Sequence, residues 1–288
     1  MATTKKTAST KKRVTRTTPV SASSEPVMHD APVVVTQPQN QTNKFLVVLV
    51  VALILFCGYL FKEVSSLKAN PAATGQAQQA APESIDDKVV KSFLTDDRIV
   101  VGDKNSKNII LEISDTSCPF CHVASGKNPE LVAQMGEQFK TVAEGGSYTP
   151  PVPEIKKLVD AGEAVYVHMF GSGHGNGFLA AEALYCANDQ DQFWQAHDKL
   201  MTNAGYTLLN DQIKNDRTQA ATLAEFLAPE IDQTYMSECL SSKKFESRVT
   251  RDVSKNAELY FSGTPHYVVN GKIFGGAVDF NAMKAELK

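Results

Sequence analysis

The sequence predicts an α/β fold, and three stretches of its 288 residues support this prediction. The run Asn108–Ser114 is apolar and rich in β-branched residues, as is typical of a buried strand. It leads into Cys118-Pro119-Phe120-Cys121, after which the apolar residues adopt helical spacing. Near the C-terminus, Asn270-Gly271 separates two short β-rich runs and is a strong hairpin signal. A long helical section lies between these stretches.

The first elements of the folded region precede the cysteines. Ser84 is a candidate N-cap for a short helix whose apolar face holds Ile85, Val89, Val90 and Phe93. Arg98–Val101 has the composition of a strand, and Gly102-Asp103 predicts a turn. After the cysteines, Asn128-Pro129 is expected to interrupt the helix, because proline in a helix interior removes a hydrogen bond and clashes with the preceding turn.

The remaining part of the sequence also predicts both helices and strands. Residues 154–161 predict a short helix, and Ala164–Phe170 predicts a second buried strand. The helical section is expected to comprise the segments 178–188, 191–203, 219–228, 231–241 and 243–259. A hairpin at 267–274 and a helix at 279–287 complete the order.

The N-terminal part of the sequence differs in composition from the rest. Residues 1–44 carry seven lysines and arginines against two acidic residues and lack apolar periodicity, so we expect a disordered cytoplasmic tail. A polybasic binding tail is the alternative. Residues 45–61 are uncharged and nearly long enough for a bilayer core of roughly 30 Å, which predicts one transmembrane anchor. The weaker alternatives are a buried soluble helix, a cleaved signal peptide and a lipoprotein anchor at Cys57.

The charge distribution predicts the membrane topology and argues against nucleic acid as a partner. The basic residues before the anchor place the N-terminus in the cytoplasm and the region after the anchor outside it. Residues 62–83 have the composition of a flexible linker, which leaves residues 84–288 as the folded domain. This domain carries 20 basic and 28 acidic residues, and its acidity argues against nucleic acid as a partner.

Cys118 and Cys121 have the spacing and position of a redox-active dithiol. A helix N-terminus carries partial positive charge and free N–H groups, which favour the Cys118 thiolate. Pro119 suits the first turn, where its missing N–H is not needed. We therefore expect an exposed Cys118 to attack or be attacked, and a more buried Cys121 to resolve the mixed disulfide. With His122 the stretch also spells the c-type haem attachment motif, and a zinc site is a further alternative.

A second motif, Gly263-Thr264-Pro265, directly precedes the predicted hairpin. Proline lacks a donor for the strand ladder and is confined to strand starts or edges, and this position fits a cis peptide bond. Together with the dithiol stretch and residues 181–200, the motif resembles the DsbA-like thiol–disulfide oxidoreductases of the thioredoxin-fold superfamily. The resemblance covers about residues 98–288 and implies a thioredoxin-like fold with an inserted helical subdomain at about 175–262.

The same resemblance implies how the site is used. Pro265 is expected to be cis and to pack beside the dithiol. The backbone of Thr264 is expected to pair with an extended substrate segment by β-augmentation. Pro119 and Phe120 are expected to contact the substrate as well.

Four further residues have secondary roles in this interpretation. Resemblance to family members with a second disulfide implies that Cys186 and Cys239 are bonded; two buried free thiols are the alternative. Asp115 is either a proton acceptor for the second cysteine of the dithiol or a turn carboxylate. His122 either supports the thiolate electrostatically or lies on a solvated helix surface.

These features predict a membrane-anchored thiol–disulfide oxidoreductase of the cell envelope that acts on exported proteins. Oxidation of substrate thiols is expected, with an intermediate potential and re-oxidation by a membrane redox partner. Disulfide isomerisation or reduction is one alternative, and a non-catalytic thioredoxin-like binding module is another. No cofactor or metal is expected. A monomer is expected, since residues 62–83 do not have the composition of a dimerisation segment.

Overall fold

The computed structural model describes residues 42–68, 83–228 and 230–288. The chain divides into two compact units, Met1–Ala77 and Gln78–Lys288. Most of the predicted basic tail and of the predicted linker lies outside the described residues. The boundaries of these segments remain predictions.

In the N-terminal unit, the helix α1 (Thr42–Lys68) includes the whole of the predicted anchor. Its apolar side chains are exposed from Val47 to Tyr59. Over the described residues, no helix combines the length and the apolarity that a membrane span requires. The anchor at residues 45–61 remains a prediction.

The second unit is built on a five-stranded mixed sheet. Its strands are β1 (Ile99–Val101), β2 (Asn108–Ser114), β3 (Ala164–Phe170), β4 (His266–Val269) and β5 (Lys272–Gly275). They lie in the order β1-β3-β2-β4-β5. The central strands β2 and β3 are parallel, and every other neighbouring pair is antiparallel. β2 and β3 are buried along their whole length, which explains their nearly continuous apolar composition.

The two faces of β2 differ in what they contact. The odd positions, from Ile109 to Ile113, pack with apolar residues that include Val90 and Phe93 from the segment before β1. The even positions lie on the opposite face, because side chains alternate along a strand. Ile110 packs there with core residues of the helices that follow β3. Glu112 shares this second face, so a carboxyl group lies within the core of the sheet.

Short helices occupy the first half of the unit: α2 (Asp87–Lys91), α3 (Pro119–Ser125), α4 (Pro129–Met135) and α5 (Pro151–Asp160). Single 3₁₀ turns follow α4 at Glu137–Phe139 and Val142–Glu144. The predicted interruption at Asn128-Pro129 is confirmed. Asn128 caps α4 by accepting a hydrogen bond from the Leu131 N–H at 3.1 Å.

The predicted N-cap of the first of these helices is wrong. Ser84 instead pairs with Lys272 of β5 in an isolated β-bridge. The cap of α2 is Asp86, whose carboxylate accepts the Lys88 N–H at 2.7 Å. The local sequence could not predict this β-bridge, because the bridge depends on a partner near the C-terminus.

The stretch predicted as a helical insertion lies between β3 and β4 and holds helices throughout: α6 (Phe178–Asn188), α7 (Phe193–Leu200), α8 (Asn203–Thr207), α9 (Ala220–Leu227), α10 (Gln233–Ser241) and α11 (Glu246–Lys255). A π-helical turn, Leu208–Ile213, continues α8, and 3₁₀ turns occur at Arg217–Gln219 and Asn256–Leu259. Cys186 of α6 and Cys239 of α10 form a disulfide, as the resemblance implied. The helix α12 (Phe280–Lys284) follows the hairpin.

The hairpin between β4 and β5 has the predicted turn. Asn270 and Gly271 have φ values of 48° and 96°, and positive φ at both central residues is what a type I′ turn requires. A Cβ at Gly271 would lie 2.6 Å from the Ile85 carbonyl oxygen. Glycine therefore allows the Ile85 N–H to reach the Gly271 carbonyl at 2.7 Å.

Candidate active site

The dithiol lies between the end of β2 and the start of α3. Cys118 is the N-cap residue, and Pro119 opens the helix. The Cys118 N–H donates to the Asp115 carbonyl at 2.9 Å and so closes the turn that leaves β2. The Cys121 N–H donates back to the Cys118 carbonyl at 3.1 Å, one helical turn later. Both sulfurs are therefore carried by the N-terminal turn of α3, where the sequence predicts them.

The expectation of an exposed Cys118 is wrong, because only 5% of its surface is accessible. Met201, which follows α7, packs with both cysteines. The Cys118 sulfur also lies 3.5 Å from the carbonyl oxygen of Thr264. Both covering residues are distant in sequence, so local periodicity could not reveal them.

The surroundings of Cys118 favour its thiolate. A hydrogen bond from the Cys121 side chain is the largest influence that lowers the pKa of Cys118, to about 6, whereas burial opposes this change. The Thr264 side chain and the N–H groups of Phe120 and Cys121 lower the pKa further. The Phe120 N–H is among those that a helix N-terminus leaves without intrahelical partners. At pH 7 most of Cys118 is therefore ionised in the reduced protein.

Cys121 has the opposite tendency. It is 1% exposed, and burial raises its pKa well above the ordinary range of a thiol. The hydrogen bond to Cys118 and the charge of its thiolate raise the pKa further. The Asp115 N–H lies 3.4 Å from the Cys121 sulfur and is its backbone donor. In the reduced pair the shared proton therefore resides on Cys121.

The Thr264–Pro265 peptide bond is cis, as the sequence predicts. Pro265 is buried, and Thr264 is 9% exposed. The glycine-rich loop after β3 packs closely against Thr264, since a Cβ at Gly173 would overlap its side chain. The residues of the second motif and the dithiol thus meet at one end of the sheet.

Asp115 is a turn carboxylate. One of its oxygens accepts the Ser117 N–H at 2.8 Å and the Ser117 hydroxyl at 2.6 Å. The other oxygen accepts the N–H groups of Gly173 and His174, at 3.0 and 2.8 Å. With four donors on the carboxylate, Asp115 joins the dithiol turn to the glycine-rich loop. The geometry supports this alternative rather than proton transfer from Cys121.

His122 is fully buried, so the alternative of a solvated helix surface is wrong. Its Nε2 lies 2.8 Å from the Thr116 carbonyl, and its Nδ1 lies 2.9 Å from the Met201 carbonyl. Burial lowers the pKa of His122 to about 4, so the ring is neutral at pH 7 and supplies no positive charge to a thiolate there. His122 instead joins the dithiol turn to the segment that covers it.

Glu112 lies in the middle of β2, is 1% exposed and was not among the site residues predicted from the sequence. The Tyr166 hydroxyl donates to one carboxyl oxygen at 2.6 Å, and the Tyr267 hydroxyl donates to the other at 3.1 Å. Burial raises the pKa of Glu112, and these hydrogen bonds oppose the rise. The Ser114 side chain lowers the pKa of both Glu112 and Cys121. Glu112 is therefore a buried carboxyl group in the strand that leads to the dithiol.

Two sulfurs with different proton affinities and a buried carboxyl group suit thiol–disulfide exchange. Over the described residues, no group of three or more His, Cys, Asp or Glu side chains is arranged to hold a metal ion.

The model of the Thioredoxin family matches residues 153–288. A variant of α-DsbA1 from Wolbachia pipientis superposes with a TM-score of 0.51 at 16% identity, over 69% of this chain and 94% of that one. BdbD from Bacillus subtilis superposes with a TM-score of 0.48 at 21% identity, over 66% and 93%.

Residues 153–288 are thus similar to the Thioredoxin family, and the described fold is similar to that of α-DsbA1. The predicted thioredoxin-like fold is confirmed, and the comparisons agree with the predicted family and with the predicted enzyme class, protein thiol–disulfide oxidoreductase. The segment matched by the family model begins after the dithiol. The assignment of Cys118 and Cys121 therefore depends on the geometry of the site.

Two curated relatives of the chain are much longer than it is. The Na(+)/H(+) antiporter NhaA 3 of Salinispora tropica is 26% identical over 219 residues, and NhaA 1 of Salinispora arenicola is 26% identical over 215. Each match covers 75% of this chain and 28% of the antiporter. The chain thus spans less than a third of the length of these relatives.

The two residues between the cysteines of the dithiol differ in exposure. Pro119 is half-buried, whereas Phe120 exposes 42% of its surface. The ring of Phe120 contacts Phe139 edge-on, with 6.1 Å between centroids. An accessible aromatic ring therefore adjoins the dithiol, at a position where a substrate contact was predicted.

Glu112 was detectable in principle from the sequence. It is the one charged residue in the run Asn108–Ser114, which the composition predicts to be buried. A carboxyl group in such a strand needs partners or a function, because an isolated buried charge is unfavourable. The partners themselves, Tyr166 and Tyr267, could be named only with the strand register known.

Proposed function

We propose that this DsbA-like protein exchanges disulfides with exported proteins and acts mainly as an oxidase of their thiols. The contrast between the two sulfurs carries the proposal: the pKa of Cys118 is lowered to about 6, and that of Cys121 is raised. A stabilised Cys118 thiolate stabilises the reduced protein, which is what makes a dithiol protein an oxidant. Because a pKa of about 6 lies between roughly 7 for thioredoxin and 3.5 for DsbA, we expect an intermediate potential.

The exchange proceeds in two balanced steps. A substrate thiolate attacks Cys118, its bond to that sulfur forms, and the Cys118–Cys121 bond breaks. Cys121 leaves with the electron pair of the broken bond and takes a proton. A second substrate thiolate then attacks the substrate sulfur of the mixed disulfide, and Cys118 leaves as a thiolate. Two electrons have passed from the substrate to the dithiol, and the substrate holds a disulfide.

Glu112 is the acid and base of Cys121 in this scheme. It donates a proton when Cys121 becomes the leaving group and accepts one when the disulfide re-forms. Its buried position supports this role, because burial raises the pKa of the carboxyl group and so favours its protonated form.

Substrate binding involves the residues around Cys118. The Thr264 backbone, beside the Cys118 sulfur, pairs with an extended segment of the substrate. Phe120 offers an exposed aromatic surface to apolar side chains of that segment. Pro119 and Pro265 form part of the surface that the substrate segment contacts.

We further propose that residues 45–61 anchor the protein in the cytoplasmic membrane, with the catalytic domain on the extracytoplasmic side. The basic residues before this segment support the orientation. The Cys186–Cys239 disulfide supports an oxidising compartment, because such bonds are rare in the cytosol. A membrane redox partner would re-oxidise the dithiol there.

The redox potential of the full-length chain in detergent tests the proposal. The protein is equilibrated in glutathione buffers, and the reduced fraction is measured by alkylation, with Cys118→Ser as the control without a dithiol. A potential of about −120 to −200 mV supports an oxidase, whereas about −270 mV indicates a reductase. Absence of any exchange would rule out the catalytic proposal and favour a non-catalytic binding module.

A further inference from the structure

Two residues cover the sulfur of Cys118, the atom that a partner has to reach in the proposed exchange. The Thr264 carbonyl oxygen lies 3.5 Å from this sulfur, and Met201 packs with both Cys118 and Cys121. All four residues are buried. An attacking thiolate has to approach the sulfur to bonding distance, in line with the bond that breaks. This approach is obstructed while both covers are in place.

The cover formed by Thr264 is part of the backbone and is fixed by its neighbours. The carbonyl of the next residue, Pro265, accepts the Gly276 N–H at 2.8 Å. The strand β4 begins directly afterwards, at His266. A Cβ at Gly173 would overlap the Thr264 side chain, so the glycine-rich loop also holds this residue. The Thr264 carbonyl therefore cannot leave the sulfur without a shift of the strand and the loop.

The cover formed by Met201 is a side chain on a backbone that is held on both sides. The Met201 N–H donates to the His197 carbonyl at 2.9 Å, and the Met201 carbonyl lies 2.9 Å from Nδ1 of His122. The next residue, Thr202, caps α8 by accepting the Gly205 N–H at 3.2 Å. The side chain itself has three rotatable bonds. Rotation about these bonds is therefore the simplest movement that uncovers the sulfur.

We propose that Met201 is a specificity-determining residue, whose side chain controls access to Cys118 and excludes sulfurs with bulky surroundings. This inference rests on the exchange function proposed above. When the side chain rotates away, an attacking sulfur still has to pass below the level of the neighbouring residues to reach Cys118. A sulfur on a flexible peptide can do so, whereas one on a rigid protein surface is stopped when its own neighbours collide with the rim. The chemical steps of the exchange are unchanged.

The type of side chain at position 201 matters for this role. Methionine is unbranched and adapts its shape to its surroundings, so it covers the dithiol and still moves aside. Isoleucine has a similar volume, but its branch at Cβ restricts rotation about χ1. Alanine is too short to cover the sulfur. Substitution by these two residues therefore separates the two properties of Met201, coverage and mobility.

The variants Met201→Ala and Met201→Ile test the cover, and Met236→Ala is the matched control. Met236 is as deeply buried, in α10, and packs in the core that contains Ile110, so its truncation loosens the protein elsewhere. The reduced full-length chain in detergent is alkylated with iodoacetamide at pH 8.5. Cys118, with a pKa of about 6, is ionised there, so the rate reports access rather than ionisation. Mass spectrometry of the Cys118 peptide separates this reaction from that of Cys57, which is exposed.

The alkylation rate is proportional to the fraction of time for which the sulfur is uncovered. Met201→Ala is therefore expected to react about tenfold faster than the wild type, and Met201→Ile about threefold slower. Met236→Ala should react at the wild-type rate and melt at a lower temperature. Wild-type rates in both Met201 variants would overturn the proposal. If Met201→Ala does not fold, the rate of Met201→Ile decides alone.

A second assay measures the selection by bulk. A thionitrobenzoate disulfide is formed on the cysteine of a flexible peptide and on the single surface cysteine of a folded protein. The Cys118 thiolate attacks the cysteine sulfur, and a new disulfide bond forms. Thionitrobenzoate leaves with the electron pair of the broken bond and is measured by its absorbance. Met201→Ala is expected to lower the ratio of the peptide rate to the protein rate about fivefold.

The role of Met201 and the exchange function fail in different ways. If the wild type reacts with iodoacetamide but with neither disulfide, the proposed exchange function is wrong, and the role of Met201 in it is wrong as well. If the wild type reacts with both disulfides and Met201→Ala keeps the same ratio of rates, only the role of Met201 is wrong.

Discussion

The Cys118 sulfur lies 3.5 Å from the Thr264 carbonyl oxygen, although 146 positions separate the two residues in the sequence. This contact joins the start of α3 to the peptide unit that precedes Pro265. The Thr264 hydroxyl has no hydrogen-bond partner among the described residues, so it is free to donate to a thiolate. The residue that is proposed to pair with the substrate thus also has a hydroxyl group that can support the nucleophile.

The pH dependence of Cys118 alkylation should show whether the Thr264 hydroxyl stabilises the Cys118 thiolate. In the reduced wild type, the alkylation rate is expected to reach half of its maximum near pH 6, which is the pKa of Cys118. Thr264→Val removes the hydroxyl and should move the midpoint to higher pH. Thr250→Val, at an exposed position of α11, is the control and should not move it. A wild-type midpoint at about 8.5, the ordinary value for cysteine, would contradict the prediction.

The stability of the reduced protein should depend on pH for the same reason. Between about pH 6 and 8.5, the unfolded chain holds a proton on Cys118 that the folded protein lacks. The free energy of unfolding therefore rises with pH in this window and falls as the pH drops towards 6. Urea unfolding of reduced wild type and reduced Cys118→Ala at pH 6, 7 and 8 measures the slope. Parallel slopes for the two proteins would show that the thiolate contributes no stability.

The sequence was informative where structure is determined locally. The buried strand β2, the cysteine spacing and the Asn270-Gly271 turn follow from short-range patterns, and the structure confirms each of them. It was uninformative where a contact joins distant segments. The burial of Cys118 beneath Met201 and the β-bridge of Ser84 depend on partners that no local pattern identifies.

The role of Glu112 illustrates an intermediate case. Its burial follows from the strand pattern, but its two tyrosine donors follow from the strand register. For the same reason Asp115 was an ambiguous candidate from its spacing alone. The structure resolves the ambiguity by supplying four donors to its carboxylate.

Glu112→Gln should slow closure of the disulfide. The amide cannot accept the Cys121 proton, and loss of a general base reduces such a step by about 10²-fold or more. Stopped-flow oxidation of the reduced protein by oxidised glutathione measures the rate. Glu182→Gln is the matched control, because Glu182 is equally buried but pairs with Arg217 away from the dithiol. Equal rates for Glu112→Gln and the wild type would exclude Glu112 as the base.

Removal of the Cys186–Cys239 disulfide should affect stability and leave chemistry intact. The bond closes a loop of 53 residues, so the double substitution to alanine is expected to cost about 4 kcal/mol by the chain-entropy relation. Urea unfolding measures this loss. The potential of the Cys118–Cys121 pair should stay the same within error. A shifted potential would indicate that the second disulfide takes part in the redox chemistry.

Phe120 should determine how well the protein acts on polypeptide substrates. The residue exposes 42% of its surface close to Cys118 in the chain, so an apolar substrate side chain could cover it. Burial of that surface is worth about 1 kcal/mol, and Phe120→Ser is therefore expected to slow oxidation of a reduced, unfolded protein about fivefold. Oxidation of glutathione, which has no apolar segment to bind, should change less than twofold. Val253→Ser, with similar exposure on α11, is the control for general surface effects. Equal losses with both substrates would assign Phe120 to the chemistry of the dithiol rather than to recognition.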